Sequence, residues 1–325
     1  MQRRAFIMLL GGAAAGWPLV SRAQQSAMPV VGFLRSASAA DSAHIVKAFR
    51  QGLQEAGFVE RQNVAIEFRW ADNDLDRLPA LVEELTRLPV AVIVANTPSA
   101  LAAEAAKTKI PIVFASGGDP IREGLVTSLN RPGGNVTGVS YMFSALATKR
   151  LSLLRQLVPK AATIGLLANP AIPNTAAEKK DVQAAAQAIG QPLVTVDVAS
   201  EREFEPAFAT LVERGVGALF VGSGGFLNSK HQHIVALAAQ HKLPASYVWR
   251  EAALSGGLVS YGPSITDGHR QAGIYTGRIL KGERPGDLPV VQSSKFEFVL
   301  NLKTAKTLGL EFHPQLLATA DEVIE

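Results

Sequence analysis

The chain has 325 residues, 47% of them hydrophobic, a formal net charge of +4 and no cysteine. That length accommodates two domains of ordinary size, and the lack of cysteine excludes disulfides, thiolate metal sites and cysteine nucleophiles. With Arg3, Arg4 and Arg22 set aside in an export leader, 29 of the 32 basic residues face 28 acidic ones, too even a balance to mark a nucleic-acid surface.

Residues 1–23 read as that leader. Arg3 and Arg4 make a charged start, Phe6 to Val20 an apolar stretch, and Ser21-Arg22-Ala23 a cleavage site before Gln24. Paired arginines followed by Ala-Phe-Ile resemble a twin-arginine (Tat) signal, which exports folded protein. A buried N-terminal helix is the alternative, opposed by Gly11, Gly12, Gly16 and Pro18. No cysteine follows to carry a lipid, and no later run reaches the roughly 20 apolar residues of a membrane span. The expected product is a soluble, non-lipidated periplasmic protein.

From Val30 onward, short apolar runs alternate with amphipathic stretches, as in βα units on a parallel sheet. The first block predicts strands at Val30–Leu34, Val64–Trp70, Val90–Ala95 and Ile110–Ala115, with helices at Asp41–Ala56, Leu75–Leu88 and Ser99–Lys107. The string RPGGNVTG, Arg131 to Gly138, reads as a turn-rich break. The second block predicts helices at Leu146–Leu157, Thr175–Ile189, Glu203–Arg214 and Ser229–His241. Its strands fall at Thr163–Ala168, Leu193–Val198, Ala218–Gly222 and Pro244–Trp249. Then come Gly257–Tyr261, a helix over Asp267–Lys281, a β-rich stretch at Lys295–Leu300 and a short helix at Leu302–Leu308. Two blocks of similar size predict an α/β fold with two similar lobes.

Enzyme signatures are scarce. Phe33-Leu34-Arg35-Ser36-Ala37-Ser38 stands where a dinucleotide fingerprint would follow the first strand, and the chain has neither a P-loop lysine nor a Gly-x-Ser-x-Gly elbow. His231 and His233, two apart on a helix, point to different faces and make a poor metal pair. No catalytic residue, cofactor or metal is expected.

Loops at the carboxyl ends of strands are more informative, because open α/β sheets bind ligands in the crevice outside those ends. Ser36 follows the first strand. After Val90–Ala95, Thr97 reads as a helix cap with Pro98 in the first turn and Ser99 behind it, so free amides would suit a carboxylate. An ordinary cap without a ligand reads equally well. Asp119, in Gly117-Gly118-Asp119-Pro120, is either an ammonium acceptor or a turn aspartate. Asn174 is a helix cap or a donor to ligand, and Phe226, on a flexible glycine loop, is a stacking platform or core. Arg250, following Trp249, reads as the one guanidinium near a strand end, either a bidentate clamp on an acid or half of a structural salt bridge. Tyr261 ends a strand near an expected interlobe crossing; Tyr141 and Asp267 complete the candidate set.

Three stretches carry a family resemblance. IPIVFASGGDPIREGLVTSLNRPGGNVTGVS (Ile110–Ser140), SYGPSITDGHRQAGIYTGRILKGERPGDLPV (Ser260–Val290) and KFEFVLNLKTAKTLGL (Lys295–Leu310), with the export signal, resemble ABC-transporter substrate-binding proteins of the tryptophan/tyrosine-binding type. The resemblance covers essentially the whole chain after the signal. It implies the type I periplasmic binding protein fold: two Rossmann-like lobes of parallel sheets flanked by helices, with three interlobe crossings. Lobe one would hold residues 28–140 plus 262–288, and lobe two 141–261 plus 289–325. It further implies a monomer that closes on a small carboxylate-bearing ligand, such as an aromatic or branched amino acid or related aromatic acid. The closed form would dock on an inner-membrane ABC permease with its ATPase, with no nucleic acid involved. Alternatives are a periplasmic sensor that hands occupancy to a membrane receptor, and a periplasmic enzyme.

Overall fold

The computed structural model describes residues 28–171 and 175–325. The expected export signal and Asn174 lie outside the described residues. The first block runs β1 (Val30–Arg35), α1 (Ala43–Glu55), β2 (Ala65–Trp70), α2 (Leu78–Thr86), β3 (Val90–Asn96), α3 (Thr97–Ala105), β4 (Ile112–Ser116) and β5 (Val136–Ser140). The second opens with α4 (Ala147–Leu157), β6 (Ile164–Ala168), α5 (Thr175–Ala188), β7 (Leu193–Asp197), α6 (Phe204–Glu213) and β8 (Ala218–Val221). It continues with α7 (Gly225–Ser229), α8 (His231–Gln240), β9 (Ala245–Tyr247), α9 (Arg250–Leu254) and β10 (Val259–Pro263). The chain returns through α10 (Ile265–Leu280) and β11 (Val291–Gln292), and ends in β12 (Phe296–Asn301), α11 (Leu302–Thr307), α12 (Pro314–Leu317) and β13 (Glu322–Ile324).

Among the described residues these strands make two sheets. The six-stranded sheet has the order β11-β5-β4-β3-β1-β2 and is parallel throughout. The seven-stranded sheet has the order β13-β12-β10-β9-β8-β6-β7, and only β10 and β12 run antiparallel in it. The backbone passes between sheets after β5, after β10 and after β11, which gives the three crossings of the type I fold.

Helices cover both faces of each sheet, so central strands read as unbroken apolar runs; β4 and β6 are buried at every position, while the edge strand β2 is half-buried throughout. Ile45, Val46, Phe49 and Leu53 form the buried stripe of α1, and they pack with Ala272, Tyr275 and Ile279 of α10 in one core. That packing is close. A Cβ on Gly52 would lie 1.8 Å from the Arg270 carbonyl oxygen, so only a glycine lets the two backbones meet and α10 belong to the first sheet. Among the described residues no helix is long and apolar enough to cross a membrane.

The structure departs from the sequence expectations at five places. Val136–Ser140, which begins inside the expected turn-rich break and runs past it, is a central strand, because β4 and β11 offer pairing on both sides. The strand expected over Pro244–Trp249 ends at Tyr247, and Arg250 opens the helix α9. The helix expected at Ser229–His241 is α8, starting at His231, and the separate short helix α7 precedes it, so Phe226 sits on α7 rather than on a glycine loop. The tail from Pro289, expected in the second lobe, first adds β11 to the first sheet. Finally, Glu322–Ile324 forms an edge strand on β12.

Candidate functional site

Each sheet reverses its strand order once, between β1 and β3 in the first and between β6 and β8 in the second. Ligands bind α/β sheets at such switch points. Here the two face each other across one cleft. Arg35, Ser36, Asn96 and Thr97 form one wall, and Asn169, Ala171, Ser223 and Gly224 the other, with Tyr141, Phe143, Trp249 and His269 near the crossings. The cleft volume is about 130 Å³. Since roughly 10–15 Å³ holds one water, there is room for a small organic molecule.

The first wall is knitted by side chains. The Asn96 side chain accepts from the Ser36 amide at 3.1 Å and donates to the Ser36 hydroxyl at 2.7 Å, so it links the loops after β1 and β3. Ser99 donates to the same Asn96 oxygen at 2.7 Å, from behind the wall. Helix α3 begins at Thr97, two residues earlier than expected, so Asn96 and not Thr97 occupies the cap. The Thr97 hydroxyl lies 2.9 Å from that of Ser116, and Ser116 donates to Glu123 at 2.9 Å, so the Thr97 proton points to Ser116.

Arg35 is the main electrostatic feature. It ends β1, is 8% exposed, and its Nη1 donates to His269 Nε2 at 2.9 Å. Among the described residues its Nε has no hydrogen-bond partner. Among the described residues no carboxylate forms an ion pair with it. Burial brings its pKa down to about 10, which leaves the cation intact at neutral pH. Burial, with the Arg35 charge beside it, pushes His269 down to about 3, so the ring is neutral.

The opposite wall carries a carboxylate. Both oxygens of Glu178 accept from the Ser223 amide, at 2.9 and 3.1 Å. Burial raises its pKa, while the charge of Arg150 opposes that shift. Arg150 itself is 2% exposed, donates to the Val221 and Ser246 carbonyls at 2.7 and 3.0 Å, and lies 3.9 Å over the Phe220 ring. Trp249 projects from the second block edge-on to Tyr141 and Phe143, at 5.7 and 5.0 Å between ring centres. Two further contacts bring the two blocks together. The Ser229 hydroxyl, which donates to the Phe226 carbonyl at 2.8 Å, stands 3.5 Å from the Asn73 side-chain oxygen, and His44 stands 4.0 Å from Glu251.

Of the ten candidates read from sequence, Ser36, Thr97, Tyr141 and Phe226 line the cleft. Phe226 also stacks on Phe204, with ring centres 5.6 Å apart. Ser99 supports Asn96 from behind. The other described candidates lie off the cleft. Asp119 accepts from the amides of Ile121 and Arg122 in its own turn, at 2.9 and 3.3 Å. Arg250 is clamped to Glu322, with nitrogens 2.6 and 2.7 Å from one carboxylate oxygen. Tyr261 stacks on Phe296, and Asp267 pairs with Arg270 at 3.0 Å. Arg35, Asn96, Glu178, Trp249 and His269 were not among the candidates. Arg35 and Asn96 are the last residues of their strands, one position before the Ser36 and Thr97 that the strand-end rule selected. His269, in mid-helix, carries no local signal.

The comparisons agree with this architecture. The chain is 29% identical over 266 residues to a tyrosine-binding protein of Clostridioides difficile (strain R20291), spanning 82% of this chain and 76% of that one. It superposes with a TM-score of 0.84 on an ABC domain from Streptococcus pneumoniae in complex with L-Trp, at 28% identity over 91% of this chain and 99% of that chain. A ligand-free, open substrate-binding protein with adhesive properties from Clostridium difficile gives a TM-score of 0.66, at 26% identity and the same two coverages. The family model for ABC transporter substrate-binding proteins matches residues 30–324, and the chain belongs to that family of binding proteins, which are not enzymes.

Proposed function

We propose that this protein is the solute-binding component of an ABC importer, working in the periplasm after loss of residues 1–23. Its lobes follow sheet membership, with residues 28–140 and 265–292 in one and 141–263 and 296–325 in the other. They close on a small carboxylate-bearing ligand, an aromatic or branched amino acid or a related aromatic acid. The loaded monomer docks on an inner-membrane permease driven by its ATPase.

The observation that carries this reading is Arg35. A buried guanidinium that stays charged and has no carboxylate partner is unfavourable until a counter-ion arrives, and a ligand carboxylate in the cleft supplies one. The rings of Tyr141, Phe143, Phe226 and Trp249 offer apolar surface for an aromatic side chain. Walls from both sheets meet the closure requirement, since a ligand shifts an open–closed equilibrium only through contacts that differ between the two states. At equal coverage the lobe arrangement superposes better on the L-Trp complex than on the ligand-free open structure, which supports a closed conformation here.

A thermal-shift screen of aromatic and branched amino acids, aromatic acids and small dicarboxylates tests the ligand class, because binding to the native state raises Tm. The expected result is a shift with a carboxylate from the first groups, accompanied by compaction in X-ray scattering. Arg35→Gln should then weaken binding by about 30-fold or more, as truncating one partner of a buried charge pair costs roughly 2–5 kcal/mol. Unchanged affinity in that variant, or no compaction with any bound acid, removes the proposal.

A further inference from the structure

We propose that His269 is a positioning residue for the ligand: a neutral acceptor that holds the Arg35 guanidinium at the cleft wall and ties it to the first two interlobe crossings. The inference rests on the reading of Arg35 as the carboxylate clamp. An arginine on its long stem must be fixed by something if it is to meet a ligand in one geometry. A protein carboxylate would fix it but would also cancel its charge and compete with the ligand. An imidazole nitrogen fixes it and leaves the charge uncompensated.

The hydrogen bonding demands one ring form. Arginine can only donate, so His269 Nε2, 2.9 Å from Arg35 Nη1, accepts and carries no proton. The ring proton is therefore on Nδ1, which donates to the Ile265 carbonyl at 2.9 Å, one helical turn earlier in α10. The Tyr141 hydroxyl donates to the same carbonyl at 3.3 Å and lies 3.1 Å from Nδ1. Tyr141 opens the first crossing, immediately after β5, and Ile265 begins the helix that follows the second.

The Tyr141 ring reaches this position because residue 268 is glycine; a Cβ there would stand 2.3 Å from the tyrosine oxygen. Trp249, from the second lobe, meets the other side of the knot edge-on. A carboxylate that loads Arg35 thus pulls on the group that joins both crossings.

Two measurements separate this role from the clamp itself. In ligand-free protein at pH 7, 15N NMR should show His269 with its proton on Nδ1, the signal being assigned by its loss in His269→Gln. A proton on Nε2 overturns the inference, whatever the ligand. Calorimetry with L-tryptophan and L-tryptophanamide supplies the second readout. His269→Leu should weaken L-tryptophan binding by about tenfold or more, the loss expected for a hydrogen bond to a charged group, and should shrink the preference for acid over amide. His269→Gln, which keeps an acceptor, should restore most of both. If the leucine variant binds and discriminates as wild type while Arg35→Gln remains defective, the clamp stands and the positioning role falls. If wild type does not bind L-tryptophan, the aromatic amino-acid reading loses support, and the ring form alone decides on His269.

Discussion

Acidification from pH 7 to pH 5 should destabilise the fold by about 2 kcal/mol through His269 alone. A histidine in the unfolded chain titrates near 6.5, whereas burial and the Arg35 charge hold His269 at about 3 in the fold. At pH 7 the residue is neutral in the fold and mostly neutral in the unfolded chain, so it contributes little to the pH slope. Below about 6.5 the unfolded chain takes up a proton that the folded one refuses, at roughly 1.36 kcal/mol per pH unit. One and a half units therefore give about 2 kcal/mol at pH 5, and the loss continues until the folded form also protonates near pH 3. A depressed folded pKa thus means stability present above the unfolded value and lost as the pH falls. His44, lowered chiefly by burial, with Glu251 opposing and Arg35 and His231 adding to the shift, contributes with the same sign. Glu178, raised by burial, contributes with the opposite one. Comparing wild type with His269→Gln isolates the single residue. Urea unfolding of each at pH 7 and pH 5 should show a decrement about 2 kcal/mol smaller in the variant. Equal decrements would mean that His269 is accessible to protons in the fold and the buried, arginine-facing ring described here is wrong.

Two further outcomes test the frame around the cleft. Arg150→Met removes the donor to the Val221 and Ser246 carbonyls and the cation whose charge favours the ionised form of the buried Glu178 carboxylate. It should lower stability by about 3 kcal/mol or more, and a melting curve close to wild type would show that the buried cation is dispensable. Arg250→Ala breaks a half-exposed pair with Glu322 and should change stability by about 1 kcal/mol or less; because Arg250 lies off the cleft, ligand affinity measured by calorimetry should not move.

The sequence alone was enough for the βα rhythm, the two blocks and the strand ends where a ligand would lie. Those signals are local: an apolar run bounded by turns makes a buried parallel strand, and spacing over three or four residues makes a helix stripe. They located Ser36 and Thr97 because a loop after a strand is visible within a few residues. They singled out Arg250, after an expected strand, and passed over Arg35 at the end of β1. Arg250 is neutralised by Glu322, 72 residues away, and Arg35 is held by a neutral ring 234 residues away. The same limit applies to β5, which looks like a turn until β4 and β11 lie on either side of it. It applies to Asp119 as well, one of whose oxygens accepts from two amides of its own turn while the other faces Arg122. Whether a charge is cancelled or left open to a ligand depends on which distant group the fold brings beside it. That partner is set by tertiary packing, because electrostatic compensation acts through space and carries no signature along the chain.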